Sequence, residues 1–154
     1  MKVDTNKRTH VNRRTIEFLV QQALGELFSE NYDKSEDALN LAHDIAQKEA
    51  PYHEAVALIS NTFGLICDRS ERDEDKALQW YKSSLSERRK YEKFAPEMLV
   101  APLNNIASQS LKRGNYGYAM KLTEEALKIR KRCGWNDYYT GLTLRQKAEI
   151  YMAK

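Results

Sequence analysis

The side chains with the widest chemical reach in this 154-residue chain are three histidines, His10, His43 and His53, and two cysteines, Cys67 and Cys133. Imidazole titrates near neutrality and so suits proton transfer, while a thiolate is a strong nucleophile. Neither chemistry has the spacing it needs. The histidines match no metal-ligand or triad pattern. Cys67 stands inside an apolar stripe, as a packing thiol does, and Cys133 precedes Gly134 at a loop. Two cysteines are too few for a disulfide-stapled miniprotein or a four-cysteine zinc site. The glycines are scattered singly apart from Gly114 and Gly117, which bracket a turn, so no phosphate-cradling loop is present. An enzyme is the class least expected, and no catalytic residue, metal site or cofactor is assigned.

Cations gather at Lys2/Lys7/Arg8/Arg13/Arg14, at Arg88-Arg89-Lys90 and at Lys128/Arg130/Lys131/Arg132. The second and third clusters fall near helix ends, where positive charge opposes the negative end of the helix dipole. With a formal charge of only +3, nucleic acid and acidic membranes are not the expected partners. The aromatic residues Trp80, Tyr81, Trp135, Tyr138 and Tyr139 are read as packing rather than as a stacking platform. Residues 1–14 form a polar, basic leader without the apolar segment of a secretory signal. The longest apolar run, Met98 to Leu103, has six residues where a membrane span needs about twenty, so a cytoplasmic protein is expected.

Helices must position whatever these residues do. The chain is 42% apolar, ample for a core, yet has only 6 Gly and 3 Pro, too few for a turn-rich β class. Apolar residues at Ile16, Leu19, Val20, Ala23, Leu24, Leu27 and Phe28 follow the helical period, and six further stripes follow. Ala50-Pro51, Ala95-Pro96, Arg113-Gly114-Asn115 and Cys133-Gly134 punctuate them. Pro102 predicts either a helix start near Ala101 or a kink.

The helices also repeat. A small residue follows a large one at Leu24-Gly25, Phe63-Gly64 and Ile106-Ala107, and Ala148 follows Lys147; the steps are 39, 43 and 41. A second series, Ala38, Ala77 and Ala119, steps by 39 and 42. Together with Phe28, Tyr81, Tyr116, Ala126 and the string Leu103-Asn-Asn-Ile-Ala107, these residues resemble the tetratricopeptide repeat. The units exceed the usual length of about 34 residues, which resembles the subclass of kinesin light chains and many bacterial regulators. The resemblance implies an all-α chain, a right-handed α-α superhelix of about three and a half helix pairs. Its units are expected over residues 15–50, 51–95 and 96–134, with a half unit at 135–154.

The resemblance further implies recognition, through a concave groove lined by the first helix of each pair. Counted from the small residues, the places three before hold Gln22, Asn61, Asn104 and Arg145, and those six before include Leu19 and Leu58. Leu65 and Ser108 stand one after, and Asn105, Arg69 and Lys112 complete the expected groove. A carboxamide both donates and accepts, so an asparagine ladder there would hold a ligand's backbone whatever its side chains. The five places of the carboxylate clamp in co-chaperone repeats hold Gln22, Glu26, Thr62, Ala101 and Asn105, without its two lysines and its arginine, so a chaperone-tail receptor is not expected. The expected partner is a protein or peptide, with the chain an adaptor or scaffold. The alternative is a peptide-sensing part of a larger regulator, and a nucleic-acid-binding repeat ranks below both. Leu142, Leu144, Ile150, Tyr151 and Met152 leave the last helix only partly polar, which predicts further chain beyond it or self-association.

Overall fold

Alanine and straight-chain residues dominate the long segments between turn signals, which favours helix throughout. The computed structural model describes residues 5–48, 53–70, 73–134 and 138–153. Trp135 and Pro51, expected to pack and to punctuate, lie outside the described residues. Among the described residues the protein is all-α, as expected, and holds no strand. The helices are α1 (Thr5–Phe28), α2 (Tyr32–Lys48), α3 (His53–Arg69), α4 (Glu74–Arg89), α5 (Val100–Lys112), α6 (Tyr116–Arg132) and α7 (Tyr138–Ala153), with a 3-10 turn at Pro96–Leu99. Helix α1 starts at Thr5, so much of the basic leader is continuous with the first helix.

Two compact units divide the chain, Met1–Glu87 and Arg88–Lys154. In the first, α1 packs on α2, and α3 contacts both. Its core includes Ile16, Leu19, Val20, Ala23 and Leu27 of α1, Leu39, Ala42 and Ala46 of α2, and Ile59, Phe63 and Ile66 of α3. Helix α4 lies along α3, where the Ser84 hydroxyl donates to the Ala57 carbonyl at 2.6 Å and the Phe63 and Trp80 rings stack at 4.9 Å. In the second unit α5 packs on α6, and α7 packs mainly on α6.

The local devices recur. The α1–α2 turn closes with Asn31 N–H on the Glu26 carbonyl and Glu30 N–H on Leu27, with Glu30 at φ 60°. The α5–α6 turn repeats this with Asn115 on Ser110 and Gly114 on Leu111, with Gly114 at φ 72°. This is the bonding of a Schellman turn, whose left-handed residue is ordinarily glycine. Asn115 caps α6 through its side chain, and Asp73 does the same for α4, accepting from the Lys76 N–H at 2.9 Å.

Pro102 occupies the first turn of α5, directly after the 3-10 turn, so the helix-start alternative is the one observed. The Met98 carbonyl, which an N–H at position 102 would have met, accepts instead from Nη1 of Arg88.

Candidate functional site

Burial corrects the register of the first helix pair. Gly64 is buried against Tyr81, and Ala107 is wholly buried, as small residues at a helix crossing should be. Gly25 is exposed with nothing near it, and the crossing is made by Ala23, whose carbonyl accepts from the buried Ser35 hydroxyl at 2.7 Å. The small residues of the second helices are therefore Ser35, Ala77 and Ala119, each step being 42 residues. Behind them run Leu39, Tyr81 and Thr123, then Ala42, Ser84 and Ala126, and all nine side chains are 0% exposed. The Ala38 marker is thus one helical turn late.

This register relocates part of the expected groove. Leu19 is a core residue, equivalent to Leu103, and does not face a ligand. Gln22 is exposed, but its equivalent in α5 is the buried Ile106. The place held by Asn61 and Asn104 belongs in α1 to Val20, which is fully buried. In the first unit Leu24 and Leu65 occupy equivalent half-buried positions, and with half-buried Leu58 they pack against the core from outside. Asn61, between them on α3, is only 8% exposed.

Arg69, at the end of α3, has its guanidinium 4.8 Å from the centre of the exposed Phe28 ring. Its carbonyl accepts from the Tyr32 hydroxyl at 3.2 Å. The C-terminal ends of α1 and α3 are thus side by side. Phe18 and Phe28, 67% and 68% exposed, are aromatic surface to which the periodicity assigns no part in binding. Their exposure is not readable from α1 alone, because each stands next to an apolar neighbour that is buried.

In the second unit Asn104 is half-buried and holds helices together. Its Nδ2 donates to Thr143 Oγ1 at 2.9 Å, and its backbone carbonyl accepts from Gln146 Nε2 at 3.1 Å. Its Oδ1 is buried and has no hydrogen-bond partner. Asn105 and Ser108 are half-buried, Lys112 is exposed, and Arg145 is exposed beside Glu149 at 3.4 Å. Leu144, Tyr151 and Met152 are exposed on α7, while Ile150 packs against Ala119 and Met120.

A cavity of about 480 Å³ opens on α2, α3 and α4, lined by Glu36, Asn40, His43, Phe63, Cys67, Asp73, Lys76 and Trp80 among others. His43 meets the Phe63 ring edge-on at 6.5 Å. Burial raises the Cys67 pKa, with Lys76 opposing and Glu36 and Asp73 reinforcing it. The thiol is therefore protonated at neutral pH and is a packing group in this wall. A second cavity, of about 510 Å³, lies among Arg89, Glu92, Lys93, Pro96 and Arg132.

No group of three or more His, Cys, Asp or Glu side chains able to hold a metal ion occurs among the described residues. Among them, too, no helix is long and apolar enough to cross a membrane. No protein-family model matches the chain, and no curated protein matches its sequence.

Proposed function

We propose that this chain is a tetratricopeptide-like helical-repeat module that binds an extended protein segment, acting as an adaptor or scaffold. The observation that carries the reading is the constant 42-residue recurrence of Ser35, Ala77 and Ala119 with the stripes behind them. Helix pairs that repeat in this way bury their apolar faces on one another and leave a continuous face for recognition. In the first unit that face is the contacting pair α1 and α3. Leu24, Leu58 and Leu65 offer apolar contact there, and Asn61 lies among them. Arg69 and Phe28 mark its end. An extended strand places alternate side chains on one side, which suits spaced apolar contacts on a helical floor.

Panning a random peptide display library on the full chain tests the proposal. Enriched peptides should carry spaced apolar residues and lose at least tenfold in affinity for a folded Leu65→Ser variant. Peptides that bind wild type and variant equally, or no enrichment at all, would overturn it.

A further inference from the structure

Formal charge is divided unequally between the two units. Residues 88–154 carry 14 Lys and Arg against 6 Asp and Glu, a formal +8, whereas residues 1–87 carry 11 against 16, a formal −5. The overall +3 conceals a strongly basic second unit.

Within that unit two basic segments that are remote in sequence meet. Arg89 bonds Glu125 of α6 at 2.8 Å through Nη2 and Glu92 at 3.3 Å through Nη1. One guanidinium thus bridges two carboxylates and ties the turn after α4 to the side of α6. The cavity of about 510 Å³ lies at this junction, with Lys93 and Arg132 on its walls. Along α6, Lys121, Glu125, Lys128 and Arg132 are spaced i, i+4, i+7 and i+11, so they share one face about 16 Å long. Lys121, Lys128 and Arg132 are all exposed. Dipole compensation accounts for Arg89 and Arg132 in their last turns, but not for Lys93, Lys121 or Lys128.

Aromatic rings accompany these cations. The turn 90–94 is held by Phe94 and Ala95 N–H groups on the Tyr91 carbonyl, and it presents Phe94 87% exposed and Tyr91 38% exposed. Phe94 directly follows Lys93 of the cleft wall, and exposed rings close in the chain to phosphate-binding cations are what base stacking uses. A duplex hides the faces of its bases, and a bilayer presents a plane, whereas Arg89, Lys93 and Arg132, with Glu92 among them, line a concavity.

We propose that the cleft between the 90–96 turn and the C-terminal half of α6 binds single-stranded nucleic acid. Lys93, Lys128 and Arg132 contact its phosphates and Phe94 stacks on a base. The proposal is independent of peptide binding on α1 and α3.

Fluorescence anisotropy of a labelled 12-nucleotide single strand, titrated with the full chain at 50 to 200 mM salt, tests it. The Lys93→Glu/Arg132→Glu double variant should bind at least tenfold more weakly. Its slope of log affinity on log salt should be shallower by about 1.4, two phosphate contacts at about 0.7 each. Phe94→Ala should lose about fivefold or more with the slope unchanged. Circular dichroism must show both variants folded. If the reversal does not fold, Lys93→Gln/Lys128→Gln replaces it, with the same direction expected. Absence of binding at 50 mM salt, or full affinity in the charge variants, would overturn the proposal. So would tighter binding to phosphatidylserine vesicles or to a poly-glutamate peptide than to the strand.

Discussion

Gly25→Ala and Gly64→Ala should shift stability in opposite directions, although each glycine follows a large apolar residue inside a helix. Alanine is favoured over glycine in a helix interior by about 0.8–1.0 kcal/mol. At Gly25 nothing lies within 4 Å of the place a Cβ would take, so that gain should be realised. At Gly64 the Cβ would stand 2.5 Å from both Cδ1 and Cε1 of Tyr81, and 3.1 Å from Cγ. Carbon atoms in good contact are about 3.5–4.0 Å apart, so ring or helix must retreat by about 1 Å. Tyr81 has little freedom to do so. Its side chain is 0% exposed, its hydroxyl faces Asp68 Oδ2 at 3.5 Å, and Ser84 ties α4 to α3 one turn further on. Overpacking of this kind costs about 1–3 kcal/mol. Against the propensity gain, the upper part of that range leaves a net loss of about 1–2 kcal/mol. At about 2–4 °C per kcal/mol for a chain this long, Gly64→Ala should lower Tm by about 2–8 °C, and Gly25→Ala should raise it by about 2–4 °C. Thermal and urea unfolding followed by far-ultraviolet circular dichroism reads both. In a Tyr81→Leu background the cost of Gly64→Ala should shrink by at least about 0.5 kcal/mol, because the clash is gone. A Gly64→Ala protein as stable as wild type would refute the reasoning, and so would an undiminished loss in the Tyr81→Leu background.

Arg88→Ala should destabilise the start of α5 by about 1–3 kcal/mol, because the Met98 carbonyl that Pro102 cannot serve loses its guanidinium donor. Hydrogen exchange should quicken in the first turns of α5, and unchanged protection there would sink the idea. Burial, reinforced by the negative charge of Asp68, raises the Tyr81 pKa in the folded protein. Above the unfolded value of about 10 the unfolded chain releases this proton and the folded one keeps it, so stability falls as pH rises. Relative to wild type, Tyr81→Phe should lessen that alkaline fall by up to about 1.4 kcal/mol per pH unit, measured by urea unfolding between pH 9 and 11. Parallel stability curves for the two proteins would contradict it.

Much of the fold was legible because helical burial is periodic and turns have chemical signatures. The segments around Leu103–Ala107 and Ala119–Ala126 carry their small residues where the helices cross, so their register could be counted directly. The first pair misled for a physical reason. Gly25 suits close approach, but Ala23 and Ser35 are small enough to meet, and a hydroxyl bonded to a carbonyl makes that crossing favourable. Glu30 likewise takes the left-handed turn position that Gly114 fills in the later pair, which hides their equivalence. Counting did not give burial: Leu58 and Leu65 are half-buried, Asn61 and Leu19 are buried, and Phe18 and Phe28 face outward.

By itself the sequence determined the all-helical class, the helix order and the turns, and it spaced its small-residue markers by 39 to 43 residues, since all of these follow from local propensity and periodic apolar residues. Only the tertiary structure decided which small residues meet, that Asn104 joins α5 to α7, and that Arg88 serves the carbonyl behind Pro102. It also brought Arg89 and Lys93 to the flank of Arg132, so that cations remote in sequence share one cleft. Such pairings depend on packing between helices, and a single helix's period carries no information about its neighbour's rotation.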